Sequence, residues 1–240
     1  MPATTVIGST GLVGHEILLQ LLSHPSATAV STLIRRDPPQ PSLAPKHHQT
    51  IEPDSTKWPS TLSTLLPTPK STLFSALGTT RSAAGGVDAQ RKIDLDLNLE
   101  LAKSAKESGK VSTYVLISSA NADAGSKWNA YVQMKGELEE EVKKLGFEKT
   151  VIVRPGLILG EREKKRLGEE QVQWVAKGLR KWVPSGWVDS WAQDAGVIAR
   201  AAVRAGLEEE VWEGRKLERT EGGKVWVMGQ DEIVELGTAK

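Results

Sequence analysis

An α/β fold, a doubly wound parallel sheet with helices on both faces, is what this 240-residue sequence predicts. Three observations carry that expectation. Short apolar, β-branched runs recur at Ala3–Ile7, Ala29–Ile34, Ser71–Leu77, Ser112–Ile117 and Thr150–Val153, as buried parallel strands do. Stretches with apolar residues at helical spacing lie between them. The first run breaks directly into the glycine-rich segment Gly8-Ser9-Thr10-Gly11-Leu12-Val13-Gly14, where a helix opens.

That helix is expected over Leu12–Leu22, since Val13, Ile17 and Leu21 stand four apart with Leu18 and Leu22 beside them. From Asp37 to Lys70 the chain holds 8 of its 12 prolines, which predicts loops, a short strand near Gln49–Ile51 and a short helix near Leu62–Leu66. Ile93, Leu95, Leu97, Leu99 and Leu101 alternate like a strand, yet Ile93, Leu97, Leu101 and Ala105 also share a helical face. A parallel strand at Ser112–Ile117 must be reached by a crossover, so a helix is expected there. Asn129–Leu145 reads as a helix with Tyr131, Lys135, Leu138, Val142 and Leu145 on one face and Gly146 closing it. Helices near Gln171–Val183 and Asp194–Ala205, a strand at Lys224–Met228 and a helix at Gln230–Leu236 complete the chain. One domain over residues 1–240 is expected, with substrate-side elements mainly in 157–240 forming a small C-terminal extension.

Composition excludes several function classes. Lys and Arg number 31 against 30 Asp and Glu, which is no footprint for nucleic acid. With no cysteine, there is neither a disulfide framework nor a thiol nucleophile. Met1–Ile7 leaves no room for a signal peptide, and no apolar run reaches the roughly 18 residues of a membrane span. These features predict a cytoplasmic chain. His47-His48 lacks a third ligand at metal spacing, so no metal is expected. The basic run Arg162–Arg166 reads as a solvated segment, and Trp174, Trp182, Trp187 and Trp191 as core by default.

The glycine segment follows a strand and opens a helix, the context in which such a pattern binds a dinucleotide. Gly8 permits the tight turn, Gly11 lets a pyrophosphate approach the backbone, and Gly14 lets helix pack on strand. Free N–H groups and the positive end of the helix dipole then face the phosphates. This is a Rossmann-type expectation, with Gly8, Ser9, Thr10, Gly11, Leu12, Val13 and Gly14 as the cofactor turn. At the end of the second strand, where an acidic residue accepts from the ribose of NAD, stand Arg35 and Arg36. Guanidinium groups suit a 2′-phosphate, so NADP(H) is the expected cofactor.

Tyr131 and Lys135 are spaced four apart, on one helical face. A lysine cation there would lower the tyrosine pKa and help it exchange a proton near neutral pH. Ser118-Ser119, at a strand end, offers a hydroxyl to the same substrate oxygen.

Together with Leu116-Ile117-Ser118-Ser119-Ala120 and Val153-Arg154-Pro155-Gly156, these motifs resemble the extended or atypical short-chain dehydrogenase/reductase superfamily. Leu77-Gly78-Thr79-Thr80-Arg81, Lys135-Gly136-Glu137-Leu138-Glu139 and the run Arg154 to Arg162 resemble one subgroup more narrowly. It holds the Tat-interacting oxidoreductase-like protein of animals and its fungal mitochondrial outer-membrane relatives. The resemblance implies that Ser119, Tyr131 and Lys135 are catalytic, with Lys135 also holding the ribose. It implies that Leu77, Gly78 and Thr79 line the adenosine side and Pro155, Gly156, Leu157 and Ile158 the nicotinamide side. An NADP(H)-dependent carbonyl reductase or alcohol dehydrogenase acting on a small carbonyl or alcohol substrate follows, attached peripherally to mitochondria. A binding or regulatory protein with little turnover is the alternative. The family's fourth catalytic member is an asparagine, for which Asn98 is the candidate. The short chain after Gly160 implies a small or open substrate pocket.

Overall fold

A computed structural model describes residues 3–38, 44–66, 69–159 and 192–239. The described elements are β1 (Thr4–Ile7), α1 (Leu12–Ser23), β2 (Val30–Ile34), β3 (His47–Ile51), α2 (Trp58–Leu65), β4 (Ser71–Ser75), α3 (Arg81–Ala84) and α4 (Val87–Arg91). A π-helical turn (Lys92–Leu97) then leads into α5 (Asn98–Glu107), followed by β5 (Val111–Ile117), α6 (Ala130–Lys144), β6 (Lys149–Val153) and β7 (Leu157–Leu159). After residue 191 come β8 (Ala192–Asp194), α7 (Ala195–Leu207), β9 (Glu218–Thr220), β10 (Gly223–Met228) and α8 (Gln230–Thr238). The expected helix at Gln171–Val183, the run Arg162–Arg166 and Trp174, Trp182, Trp187 and Trp191 lie outside the described residues.

Eight strands form one sheet in the order β3-β2-β1-β4-β5-β6-β10-β9, and every neighbouring pair is parallel except β10 with β9. The order reverses between β1 and β4, so a crevice opens beyond the carboxyl ends of those strands. Alternation along each strand feeds two cores. Val6, Phe74, Val115, Val151 and Trp226 face α1, α7 and α8 with Ile17, Ile198 and Ile233. Ile7, Leu33, Leu73, Tyr114 and Leu116 face α2, α5 and α6 with Leu62, Leu101, Leu138 and Val142. This is the doubly wound α/β fold the sequence predicts.

Three elements differ from expectation for identifiable reasons. β3 begins at His47, where the His47 ring meets the Thr32 hydroxyl at 3.0 Å. α2 begins at Trp58 because Pro59 sits in its first turn, where a missing N–H costs nothing. Between Arg91 and Asn98 the chain takes a π turn, whose i→i+5 bonding satisfies neither a strand nor an α-helical period. There Asp94, Leu95 and Asn98 turn inward while Ile93 and Leu97 are half-buried, which corrects the expected face through Ile93 and Leu97.

Candidate active site

The glycine turn is built as a backbone cradle. Gly8 has φ +80°, and a Cβ there would lie 2.5 Å from the Ala76 carbonyl oxygen of the β4 exit. A Cβ on Gly14 would lie 2.1 Å from the Gly8 carbonyl oxygen, so α1 crosses the turn too closely for any side chain. Gly11 precedes α1 with no side-chain cap, and no acidic residue occupies the first helical turn. The N-terminal N–H groups of α1 therefore face outward unclaimed by a side chain. Ser9 is buried and Thr10 exposed, while Val13 packs into the core and offers only its backbone. Leu12 is half-buried against that core.

Arg35 and Arg36 follow β2 at the same edge of the sheet, both exposed. Asp37 beside them is exposed as well.

The exit of β4 forms the next wall. Leu77, Gly78 and Thr79 run along it, held from below by side chains of the π turn and α5. Asn98, fully buried, donates from Nδ2 to the Leu77 carbonyl at 3.0 Å and accepts from the Ser75 hydroxyl at 2.6 Å. Asp94, 1% exposed, accepts the Thr79 N–H at 2.6 Å on Oδ1 and the Gln90 amide at 3.2 Å on Oδ2. Asn98 thus anchors the loop from beneath, and Asp94 is the group that faces the site. Burial raises the Asp94 carboxyl above its ordinary value, against the pull of Lys135 and the Thr79 amide. Sequence reasoning missed Asp94; its only signal was an acidic residue four before Asn98 inside an apolar stretch.

On α6 the Asn129 side chain accepts the N–H groups of Tyr131 and Val132 at 3.0 and 3.3 Å, fixing the helix start beside Tyr131. Lys135 is 5% exposed and donates to the Ile117 carbonyl at 3.4 Å. Desolvation lowers its pKa, opposed by Asp94 and Glu139. Tyr131 is 37% exposed, so only Lys135 of the pair points to the sheet; Tyr131 stands at the rim. The expectation that a cation lowers the Tyr131 pKa is corrected. Desolvation raises it, the Asp94 charge adds to the rise, and the Ser119 hydroxyl pulls the other way. Of the two serines, Ser118 is buried with no partner for its hydroxyl among the described residues, and half-buried Ser119 is the one that acts on Tyr131.

The loop after β5 lies against α6 because Gly136 permits it: a Cβ there would be 2.1 Å from the Ala124 nitrogen. On the far side, Ala120 N–H donates to the Pro155 carbonyl at 2.8 Å, joining the Ser119 loop to Pro155-Gly156. Pro155 is buried, Gly156 and Ile158 are half-buried, and Leu157 is 48% exposed. Gly156 N–H donates to the buried Gln193 side chain at 3.3 Å, which in turn donates to the Gln230 carbonyl at 3.0 Å. Arg154 donates from Nε and Nη2 to Glu139 of α6. Ser119, Tyr131, Lys135, Gly78 and the Pro155 loop therefore share the carboxyl edge of the sheet with the glycine turn. Among the described residues no His/Cys/Asp/Glu cluster could hold a metal.

A short-chain dehydrogenase/reductase structure from Saccharomyces cerevisiae superposes with a TM-score of 0.67 at 18% identity, covering 98% of this chain and 99% of that one. A Bordetella bronchiseptica enzyme solved with NAD+ gives 0.64 at 14% identity, covering 98% and 76%. These likenesses show the fold. The HIM1 family model matches residues 68–180. The mitochondrial protein fmp52-1 of Aspergillus oryzae is 49% identical over 238 residues, covering 99% of this chain and 98% of its own. The mitochondrial protein fmp-52 of Neurospora crassa is 48% identical over 238 residues, covering 98% and 95%. At that identity over nearly the whole length, the chain belongs to the Fmp52 family of fungal proteins.

Proposed function

We propose that this chain is an NADP(H)-dependent oxidoreductase of the carbonyl reductase or alcohol dehydrogenase type. The observation that carries the reading is the buried Lys135 lying one turn from Tyr131, at the strand edge that also holds the glycine turn. Structural neighbours solved with NAD support a nicotinamide dinucleotide in that crevice.

The residues present fit such a cofactor. Positive φ at Gly8 and the closed approach at Gly14 leave the α1 amides open to a pyrophosphate. Arg35 and Arg36, exposed and without an ion pair among the described residues, suit a 2′-phosphate. Leu77, Gly78 and Thr79 would border the adenosine side, and Pro155, Gly156, Leu157 and Ile158 the nicotinamide side. When bound, the nicotinamide supplies or accepts a hydride. Tyr131 exchanges a proton with the substrate oxygen, Ser119 hydrogen-bonds that oxygen, and Lys135 contributes a positive charge beside the tyrosine and a donor for the ribose.

The relatives' names give the ground for a mitochondrial location. Peripheral attachment at the outer membrane is part of the proposal; among the described residues no helix is long and apolar enough to cross a membrane. The deciding experiment is titration with NADPH followed by turnover on a panel of aldehydes and ketones, with Tyr131→Phe as control. Binding with NADPH oxidation lost in the variant supports the reading. Binding without Tyr131-dependent turnover leaves a nucleotide-binding regulatory protein, and no binding sinks both.

A further inference from the structure

Gly78 is exposed at the β4 exit, between two neighbours that are tied down. Asn98 donates to the Leu77 carbonyl on one side, and Asp94 accepts the Thr79 N–H on the other. Backbone atoms crowd the Cβ position of Gly8, Gly14 and Gly136, so the fold requires glycine there. Gly78 is different. Its backbone is outside the left-handed region, and a Cβ there would meet Asp94 Oδ1 at 3.6 Å and Lys135 Nζ at 3.9 Å, both ordinary contacts. The fold would accept alanine. The bare Cα instead forms the floor of a slot, with a carboxylate and an ammonium looking onto it.

Both groups are buried and held from different elements. Asp94, 1% exposed on the π turn, accepts from Thr79 on Oδ1 and from Gln90 on Oδ2, so it cannot swing away. Lys135, 5% exposed on α6, is tethered to the Ile117 carbonyl. A carboxylate oxygen accepts more than one donor and an ammonium carries three N–H groups, so both retain capacity toward the slot. They do not close on each other: among the described residues no ion pair within 4.0 Å joins them. Opposite charges held near each other without touching suit a ligand that answers both. An anion would be repelled by Asp94 and a cation by Lys135. Two adjacent hydroxyls fit, because one accepts from the ammonium while the other donates to the carboxylate, and neither brings a charge.

We propose that the slot over Gly78 binds the vicinal diol of a ribose, with Asp94 accepting from one hydroxyl and Lys135 donating to the other. This rests on the oxidoreductase reading above and adds Asp94 to the residues that hold the cofactor. In NADP(H) the adenosine ribose carries a phosphate on its 2′ oxygen, so the free vicinal diol is that of the nicotinamide ribose. Gly78 then stands where the wall of Leu77 and Thr79 meets the nicotinamide half.

The test compares two probes by isothermal titration calorimetry: NADPH, and 2′,5′-ADP, which keeps the phosphorylated adenosine and lacks the second ribose. Gly78→Ala puts a methyl group into the slot. It should melt with the wild type, bind 2′,5′-ADP within about twofold of it, and bind NADPH at least roughly tenfold more weakly. Asp94→Asn keeps an oxygen for Thr79 and turns a charge-assisted hydrogen bond to the hydroxyl into a neutral one. NADPH should weaken about three- to tenfold relative to 2′,5′-ADP. Both probes carry phosphate, so the loss of a negative charge acts on both and the affinity ratio isolates the diol. An unchanged ratio in either variant overturns the proposal, while Tyr131-dependent turnover by the wild type leaves the oxidoreductase reading standing. If Gly78→Ala melts well below the wild type, the ratio in Asp94→Asn decides alone. No binding of NADPH by the wild type overturns both readings.

Discussion

Arg154, at the end of β6, grips the fully buried carboxylate of Glu139 on α6 with Nε at 3.1 Å from both oxygens and Nη2 at 2.5 Å from Oε2. The pair ties the helix bearing Tyr131 and Lys135 to the Pro155-Gly156 loop. Removing one partner strands a charge where water cannot reach it. We expect Arg154→Met to cost about 2–3 kcal/mol, at or below the usual range for breaking a buried pair because Arg154 is partly solvated. Adding Glu139→Gln should recover part of the loss. Urea unfolding of the two single variants and the double variant measures this, and a cost under about 0.5 kcal/mol for Arg154→Met would refute it.

Gly14→Ala should disrupt the cofactor turn more than Gly11→Ala. The added methyl meets the Gly8 carbonyl at 2.1 Å in the first case and at 3.2 Å in the second. Both contacts involve backbone, which yields only if α1 lifts from β1. We expect nucleotide affinity to fall at least tenfold for Gly14→Ala and severalfold less for Gly11→Ala, read by fluorescence titration.

Arg35→Ala with Arg36→Ala should weaken NADPH by about 1.5–3 kcal/mol, the loss of charge-assisted hydrogen bonds, and leave NADH nearly unchanged. Titration with each dinucleotide decides the matter. Equal losses would show that the arginines do not read a 2′-phosphate.

The buried Asp94 makes a signed prediction for stability. Its folded pKa is raised by burial, so the folded state holds the proton more tightly than the unfolded chain, where the value is about 4. The contribution of Asp94 to stability must then fall as pH rises from about 4 through the raised folded value. Asp94→Asn lacks this penalty, so the wild-type advantage should shrink between pH 4 and 7. A thermal-melt difference that stays constant or grows in the wild type's favour would contradict it.

Asn129→Ala removes the cap that accepts from Tyr131 and Val132. A cost of about 1 kcal/mol is expected, with Asn129→Asp near wild type. Any turnover should fall further than stability alone explains, because the first turn of α6 carries Tyr131.

Much of the sheet was legible because apolar, β-branched runs such as Thr4–Ile7 and Val30–Ile34 are buried on both faces and admit no other period. The glycine turn was legible because Gly8 and Gly14 are required by backbone approaches that no other residue allows. The short α3 and α4 carry no periodic stripe, and β9 is recognisable only by its antiparallel partner β10. Asp94 was hidden for a different reason: its burial depends on a π turn, which has no simple apolar repeat. The inward face of Lys135 could be read from Leu138 and Val142; the rim position of Tyr131 could not, since it depends on where the β5 loop ends.

The π turn also makes the site sensitive to counting. Its extra residue shifts everything before it by about 100° relative to an unbroken α-helix. Deleting one residue between Arg91 and Asn98 would leave a smooth helix with every apolar residue retained. Asp94 would then swing off the Gly78 side, and Thr79 would lose its acceptor. The geometry of this edge is thus encoded in the length of a segment as well as in its side chains, and a one-residue deletion there would reach Gly78 and Thr79 without replacing either.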